Sequence, residues 1–202
     1  MLALIERVSS SRMPGTFVEQ CRALYADLQR ESARTRRESQ ELLNNDSFPS
    51  THSGLLRYLT WTVLARHLRA VVDAFNQWRD EERWLRNYCP MCGQPPAMAQ
   101  LVGIEPGRLR LLSCGCCRTR WRYRRTGCPF CEPRDDHRLA VVAVDGEGGL
   151  RIDYCEICKG YLKTYNGEGS ESVLLADWTS LHLDVLARDR GLKRLAASLY
   201  EL

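Results

Sequence analysis

Long apolar runs are missing from this 202-residue chain. Arginine, aspartate or glutamine interrupts each apolar stretch well before the roughly 18 residues that a membrane-spanning helix requires, so no membrane span is expected. At the amino terminus Glu6 and Arg7 follow only a few apolar residues. That is too short for the apolar segment of a secretory signal, and a cytoplasmic protein is expected. Histidine is scarce, at 4 residues, and neither His52 nor His67 has a partner at ligand spacing. No catalytic motif occurs in residues 1–88. A charge of one sign is also lacking, since 29 Lys+Arg stand against 25 Asp+Glu. With 44% hydrophobic and 27% charged residues, the composition excludes both a disordered and a collagen-like chain. The length fits one or two small domains.

Cysteine is what the chain has in quantity. Eight of its 10 cysteines form four Cys-x-x-Cys pairs: Cys89/Cys92, Cys114/Cys117, Cys128/Cys131 and Cys155/Cys158. In a reducing compartment such pairs are metal ligands more often than disulfides. Cys116 lies inside the second pair, and Cys21 sits on a helical pattern where a small buried thiol is expected.

The cysteines divide the chain into three parts. Residues 1–88 read as a helical region, with Phe17, Cys21, Leu24 and Leu28 spaced by three and four, a polar stretch over Ser32–Gln40, and a break over Asn44–Ser53. The apolar stripe that follows runs from Leu55 through Leu59, Val63, Leu68, Val71, Val72, Phe75, Trp78 and Trp84 to Leu85, and admits one kinked helix or two. Residues 166–202 read as a linker and then one amphipathic helix over Leu174–Leu202, interrupted at Gly191.

Residues 89–165 contain a duplication. Shifting Cys89-Pro-Met-Cys92 by 39 positions gives Cys128-Pro-Phe-Cys131, and shifting Cys114/Cys117 by 41 gives Cys155/Cys158. The copies are 89–123 and 128–165. Each reads knuckle, strand, turn, strand, knuckle. Ala97–Ile104 and Arg108–Leu112 flank Glu105-Pro-Gly107, while Leu139–Val144 and Leu150–Tyr154 flank Asp145-Gly-Glu-Gly-Gly149. A hairpin returns its second knuckle to the first. This predicts two four-sulfur sites: Cys89, Cys92, Cys114 and Cys117 in one, and Cys128, Cys131, Cys155 and Cys158 in the other. Four thiolates suit tetrahedral zinc and equally hold iron in rubredoxin-like sites. Pro90 and Pro129 pre-set the turns without removing the N–H donors that face sulfur. Closed coordination leaves no position for a substrate water, so a structural or one-electron site is favoured over hydrolysis. The predicted class is α+β: a helical amino-terminal part, two tandem rubredoxin-like or zinc-ribbon β-hairpin modules, and a carboxy-terminal helix.

Basic residues exceed acidic ones in the cysteine region, by 12 to 8. Five of the twelve are arginines between Arg118 and Arg125. In an extended strand Arg118, Arg120, Arg122 and Arg124 share one face, and Thr119, Trp121 and Tyr123 the other. The basic face is a candidate partner-binding surface. Because the aromatic groups alternate away from it, nucleic acid is the less favoured partner.

Together these motifs resemble the formate dehydrogenase accessory proteins of the FdhE type. The resemblance is carried by Cys89-Pro-Met-Cys-Gly93 with Pro95, Cys114-x-x-Cys117-x-Thr-x-Trp121, Cys128-x-x-Cys131, Cys155-x-x-Cys-Lys-Gly-Tyr-Leu-Lys163 and Asp177-Trp-Thr-Ser-Leu-His-Leu-Asp184. It covers about residues 85–195. The resemblance implies a non-enzymatic cytoplasmic protein with two rubredoxin-like sites. It further implies that the protein binds iron, contacts the catalytic subunit of a respiratory formate dehydrogenase, and is needed for that enzyme to become active. Cys116 departs from the usual pair. Within the last motif His182 lies beside a stripe expected to be buried, formed by Trp178, Leu181, Val185 and Leu186, and is a second candidate contact for the partner. A zinc-ribbon nucleic-acid binder and a rubredoxin-like electron carrier are the alternatives, and a homodimer is compatible with the sequence.

Overall fold

The computed structural model describes residues 3, 6, 15–30, 53–104, 106–132, 139–144, 146, 149–167 and 170–198. The expectations for Ser32–Gln40, for His52 and for most of the break over Asn44–Ser53 lie outside these. The chain divides into two compact units, Met1–His67 and Leu68–Leu202. Helix α1 is Gly15–Arg30 and α2 is Ser53–Trp78. Cys21 and Leu24 are buried on α1, and Leu59, Trp61 and Ala65 on α2. Of the expected stripe, Leu59 and Val72 are buried, whereas Val71 and Trp78 are exposed and Trp84 and Leu85 lie beyond the helix end. No helix among the described residues is long and apolar enough to cross a membrane.

The second unit is built on one six-stranded sheet in the order β3-β2-β1-β6-β5-β4. Its strands are β1 (Pro96–Val102), β2 (Leu109–Cys114), β3 (Arg120–Tyr123), β4 (Leu139–Ala143), β5 (Leu150–Cys155) and β6 (Tyr161–Asn166). The four hairpin strands lie where the turn residues and knuckles place them, and Gly103, at φ 91°, supplies the left-handed backbone that the first turn needs. Each copy adds a third strand after its second knuckle, making a three-stranded antiparallel meander. The meanders join through a parallel pairing of β1 with β6, from Met98 opposite Lys163 to Leu101 opposite Asn166. They therefore run in the same direction, side by side, and all four knuckles lie at one end of the sheet. β1 and β6 are central and covered on both faces, which is why both are buried with no polar–apolar alternation.

The connection from β3 to β4 has to pass from one sheet edge to the other. Its first residues are fixed by buried donors on the sheet: Arg110 donates to the carbonyl of Gly127 at 3.1 Å and the Tyr123 hydroxyl to that of Cys128 at 3.2 Å.

Two short helices pack on the sheet at its carboxy-terminal side, α3 (Ser170–Thr179) and α4 (Leu181–Asp189). The single helix expected over Leu174–Leu202 is thus broken at Ser180, whose buried hydroxyl turns back to donate to the carbonyl of Ala176. Leu183, Ala187 and Leu192 join Val142, Ile152 and Tyr161 in one core cluster, and Ala176 packs with Met98 in a second. Trp178, at 55% exposure, and Val185, at 38%, are not buried, which corrects the expected stripe. A periodicity reading assumes that apolar side chains occupy the inner face. Here two aspartates occupy part of it, and the helix break rotates the rest.

Candidate metal centres

The four knuckles share one backbone design. In each, the residue after the second cysteine adopts the left-handed conformation: Gly93 at φ 74°, Arg118 at 63°, Glu132 at 40° and Lys159 at 59°. A chiral side chain pays about 1–2 kcal/mol for that region, so three of the four turns are held against local preference. Backbone bonds brace them, closing a ring at the Cys89 and Cys155 knuckles, while at the Cys128 knuckle Glu132 donates to the Cys128 carbonyl at 3.3 Å. Cys89, Cys114 and Cys155 donate to the carbonyls of Gln94, Thr119 and Gly160 at 2.8–2.9 Å, and Gly93 and Lys159 donate back to Cys89 and Cys155 at 2.9 Å. The turn also aims N–H groups at sulfur, with Met91 to Cys89, Cys117 to Cys114, Phe130 to Cys128 and Gly160 to Cys158 all at 3.4 Å. The prolines at positions 90 and 129 sit just ahead of two of these donors and remove none.

Because the knuckles lie at paired ends of a hairpin, their sulfurs converge. Cys89, Cys92, Cys114 and Cys117 form one group, Cys128, Cys131, Cys155 and Cys158 the other, and within each all sulfurs lie within 4.8 Å of one another. In the first, Cys89–Cys117 and Cys92–Cys114 are 3.4 Å apart and Cys92–Cys117 3.6 Å. In the second, Cys128–Cys158 is 3.8 Å and Cys131–Cys155 3.6 Å. A tetrahedron of sulfurs 2.3 Å from a central ion has edges of about 3.8 Å, so these separations lie within a few tenths of an ångström of such an edge, and the remaining ones stay within 4.8 Å. The donor set fits as well, since four soft sulfurs with N–H groups turned toward them suit zinc or iron.

Crowding sets the thiols of the first group against each other. Hydrogen bonds from Cys114, Cys89 and Cys92 hold Cys117 far below the ordinary thiol range. Against the Cys114 bond, which lowers it, bonds to Cys116 and Cys117 push Cys92 up to about 12. In the second group burial raises Cys155, but the N–H groups of Cys158 and Ile157 outweigh it and the thiol ends below its usual value. Cys116 is buried beside Cys92 without entering the four-sulfur group, and Cys21 is buried on α1.

The basic strand is shorter than its arginine run. Trp121 and Tyr123 are buried, and Trp121 donates to the carbonyl of Arg86 at 2.9 Å. Arg120 is drawn inward to Gln100, and Arg122 pairs with Glu82 at 3.2 Å. Arg118 stands exposed in its knuckle outside the strand, and Arg124 is exposed over the Tyr123 ring. His182 is exposed on α4. The four arginines and His182 are therefore not gathered on one face of one element.

A cluster that sequence reasoning passed over lies under α3 and α4. Lys163, with a fully buried side chain, contacts Asp177 at 2.7 Å and Asp184 at 2.6 Å. Arg194 bridges the same carboxylates at 2.8 and 2.9 Å. The Tyr161 hydroxyl donates to Asp184 at 2.6 Å and the Ser198 hydroxyl to Asp177 at 3.1 Å. Two cations meet two anions, so the buried set is neutral. Burial favours the neutral form of Asp177, but Arg194 and Lys163 outweigh it and hold the carboxyl below its usual range. Lys163, Asp177 and Asp184 all belong to the motifs that carry the resemblance. Their part in them is to clamp two helices onto β6. Only the motif itself marked these residues in the sequence, because Lys163 and Asp184 are 21 positions apart.

No protein-family model matches the chain. It is similar to the curated protein "Protein FdhE homolog" of Aquifex aeolicus, at 32% identity over 115 residues, covering 55% of this chain and 41% of that protein. A protein of the same name from Pseudomonas aeruginosa is 38% identical over 120 residues, covering 54% and 38%. The one from Citrobacter koseri is 28% identical over 177 residues, covering 85% and 56%. The chain thus spans about half the length of these relatives or less. The crystal structure of the FdhE protein from Pseudomonas aeruginosa superposes with a TM-score of 0.54 at 23% identity, over 83% of this chain and 64% of that one, and the two share the fold. The chain is thus similar in sequence to FdhE homologues, and it has an α+β fold and two tetracysteine groups able to hold metal ions.

Proposed function

We propose that this protein is an accessory factor that binds the catalytic subunit of a formate dehydrogenase in the cytoplasm and is needed for that enzyme to become active. The observation that carries this reading is the pair of tetracysteine groups on a fold shared with FdhE. Each group is closed by four sulfurs and offers no open coordination position, which favours binding over catalysis. Each would hold one ion: Cys89, Cys92, Cys114 and Cys117 the first, Cys128, Cys131, Cys155 and Cys158 the second. Iron is the metal implied by the resemblance, and zinc meets the same geometry. The ion would fix the knuckles and so set the surface around them, which carries the exposed cations Arg118, Arg124 and Lys159. An acidic partner surface would be drawn to that end by a field that salt screens. With Trp121 and Tyr123 buried, β3 presents no aromatic platform for unpaired bases, which disfavours the nucleic-acid reading.

The test is capture of a formate dehydrogenase catalytic subunit by the tagged, metal-loaded chain. Retention of the subunit at low salt, reduced at moderate salt and in the Cys89→Ser and Cys128→Ser variants, is the expected result. A subunit that is not retained under any of these conditions overturns the proposal.

A further inference from the structure

The two cysteine groups differ in exposure. In the first, three cysteines are buried and Cys92 is half-buried. Cys117 there also contacts the Thr119 hydroxyl at 3.1 Å. In the second, Cys131 is exposed and Cys158 half-buried. A ligand open to water is where a competing chelator or thiol begins to displace a metal, so the second group is the one from which an ion leaves more readily.

The second group also carries a load that the first does not. The chain after α4 returns to its last knuckle and pairs with it as a short parallel bridge between Gly160 and Lys193. The amide of Lys193 donates to Lys159 at 2.8 Å, and the amide of Tyr161 donates to Lys193 at 3.1 Å. Contact at Gly160 is so close that a Cβ there would lie 2.6 Å from Leu195 Cδ1, 2.9 Å from Phe130 Cδ2 and 3.2 Å from the Cys158 sulfur. Lys159, Gly160 and Tyr161 are thus shaped on one side by the cysteine turn and gripped on the other by residues 192–198. The equivalent turn of the first group has no such backbone bridge among the described residues.

Arg194 follows the bridge directly, and Ser198 lies four residues further on. Both reach into the buried clamp on Asp177 and Asp184. If residues 192–198 lift away, Lys163 is left alone with two buried carboxylates, so bridge and clamp hold or fail together.

We propose that the second cysteine group is the exchangeable site of the pair, and that its occupancy by a metal ion keeps residues 192–198 docked on the sheet. The inference rests on the reading that both groups bind metal. Ligation fixes the left-handed turn at Lys159 and thereby the bridge. Through the bridge it fixes Arg194. Loss of the ion relaxes the turn and frees the segment, while the first group and its hairpin stay intact. By thermodynamic reciprocity, loosening the segment weakens metal retention at the second group.

The test uses the full chain loaded with zinc. Zinc is withdrawn with a graded chelator, the cysteines released are identified by alkylation and peptide mapping, and backbone hydrogen exchange is followed in parallel. The first ion lost should expose Cys131 and Cys158 to alkylation, and at that point exchange over 192–198 and at Tyr161 should accelerate while β1 and β2 stay protected. Arg194→Gln, which touches no cysteine, should weaken zinc affinity at the second group by roughly fivefold or more, so that it releases zinc at lower chelator concentration, and leave the first unchanged. Cys92→Ser should lose one ion without changing exchange over 192–198. Two bound ions that leave without order, or an Arg194→Gln variant with unchanged release, overturn this inference alone. A chain that takes up no zinc overturns the metal reading and this inference with it.

Discussion

Replacing Lys163 by methionine tests whether the buried clamp fixes the carboxy-terminal helices. Methionine keeps an unbranched stem and removes the charge. The wild-type lysine makes two ion pairs shorter than 2.8 Å and also donates to the carbonyl of Asp177 at 2.8 Å, with a side chain that sees no solvent. Without it Arg194 faces both carboxylates alone, and the buried set carries a net negative charge. Removing one partner of a buried ion pair costs about 3–5 kcal/mol. For a protein of this size that is a fall in Tm of about 10 °C or more. The assay is thermal and urea unfolding of the zinc-loaded protein, with zinc content measured on the same samples so that metal loss is not read as loss of the clamp. A double variant, Lys163→Met with Asp184→Asn, restores charge balance, since Asp177 then faces Arg194 alone. It should be more stable than the sum of the two single losses by about 1–3 kcal/mol. A single variant within about 1 kcal/mol of wild type, or a double variant whose losses simply add, would refute the argument.

Four further outcomes are expected. Cys89→Ser should reduce bound metal from two ions to one and unfold its own hairpin first, because ligation of a small site is largely folding energy; metal analysis with hydrogen exchange reads both. Gly93→Ala should cost about 1 kcal/mol in urea unfolding, since its Cβ would meet nothing within 4 Å and only the backbone conformation resists, whereas Arg118→Gly should cost nothing or stabilise slightly. Arg120→Glu should destabilise the fold by placing a carboxylate in the half-buried position beside Gln100, while Arg124→Glu should leave unfolding unchanged and weaken partner capture at low salt. Asp177, held below its usual range, contributes stability that is fully present above the unfolded value of about 3.9 and is lost as pH falls through the lower folded value. The stability difference between wild type and Asp177→Asn should therefore be constant near neutrality and shrink below about pH 4.

What was legible in the sequence is what depends on short range. Cysteines paired with two residues between them, prolines inside two of the pairs, and turn residues such as Glu105-Pro-Gly107 specify knuckles and hairpins locally. A hairpin then leaves its two knuckles nowhere to go but together. The duplication was readable for the same reason, as was the burial of Cys21. Three features were decided only by the tertiary structure. The pairing of β1 with β6 joins strands about 60 residues apart, and β6 has no signal of its own beyond a few β-favouring residues, so no local rule selects its neighbour. The left-handed turns at Arg118, Glu132 and Lys159 go against residue preference and belong to knuckles braced by backbone bonds from or to their first cysteines, closed into a ring at Lys159. The inner face of α3 and α4 contradicts hydrophobic periodicity, leaving Trp178 in solvent and Asp177 in the core. An aspartate can be buried only when cations are already waiting for it. Lys163 and Arg194 are supplied by segments that the sequence sets apart and the fold brings together.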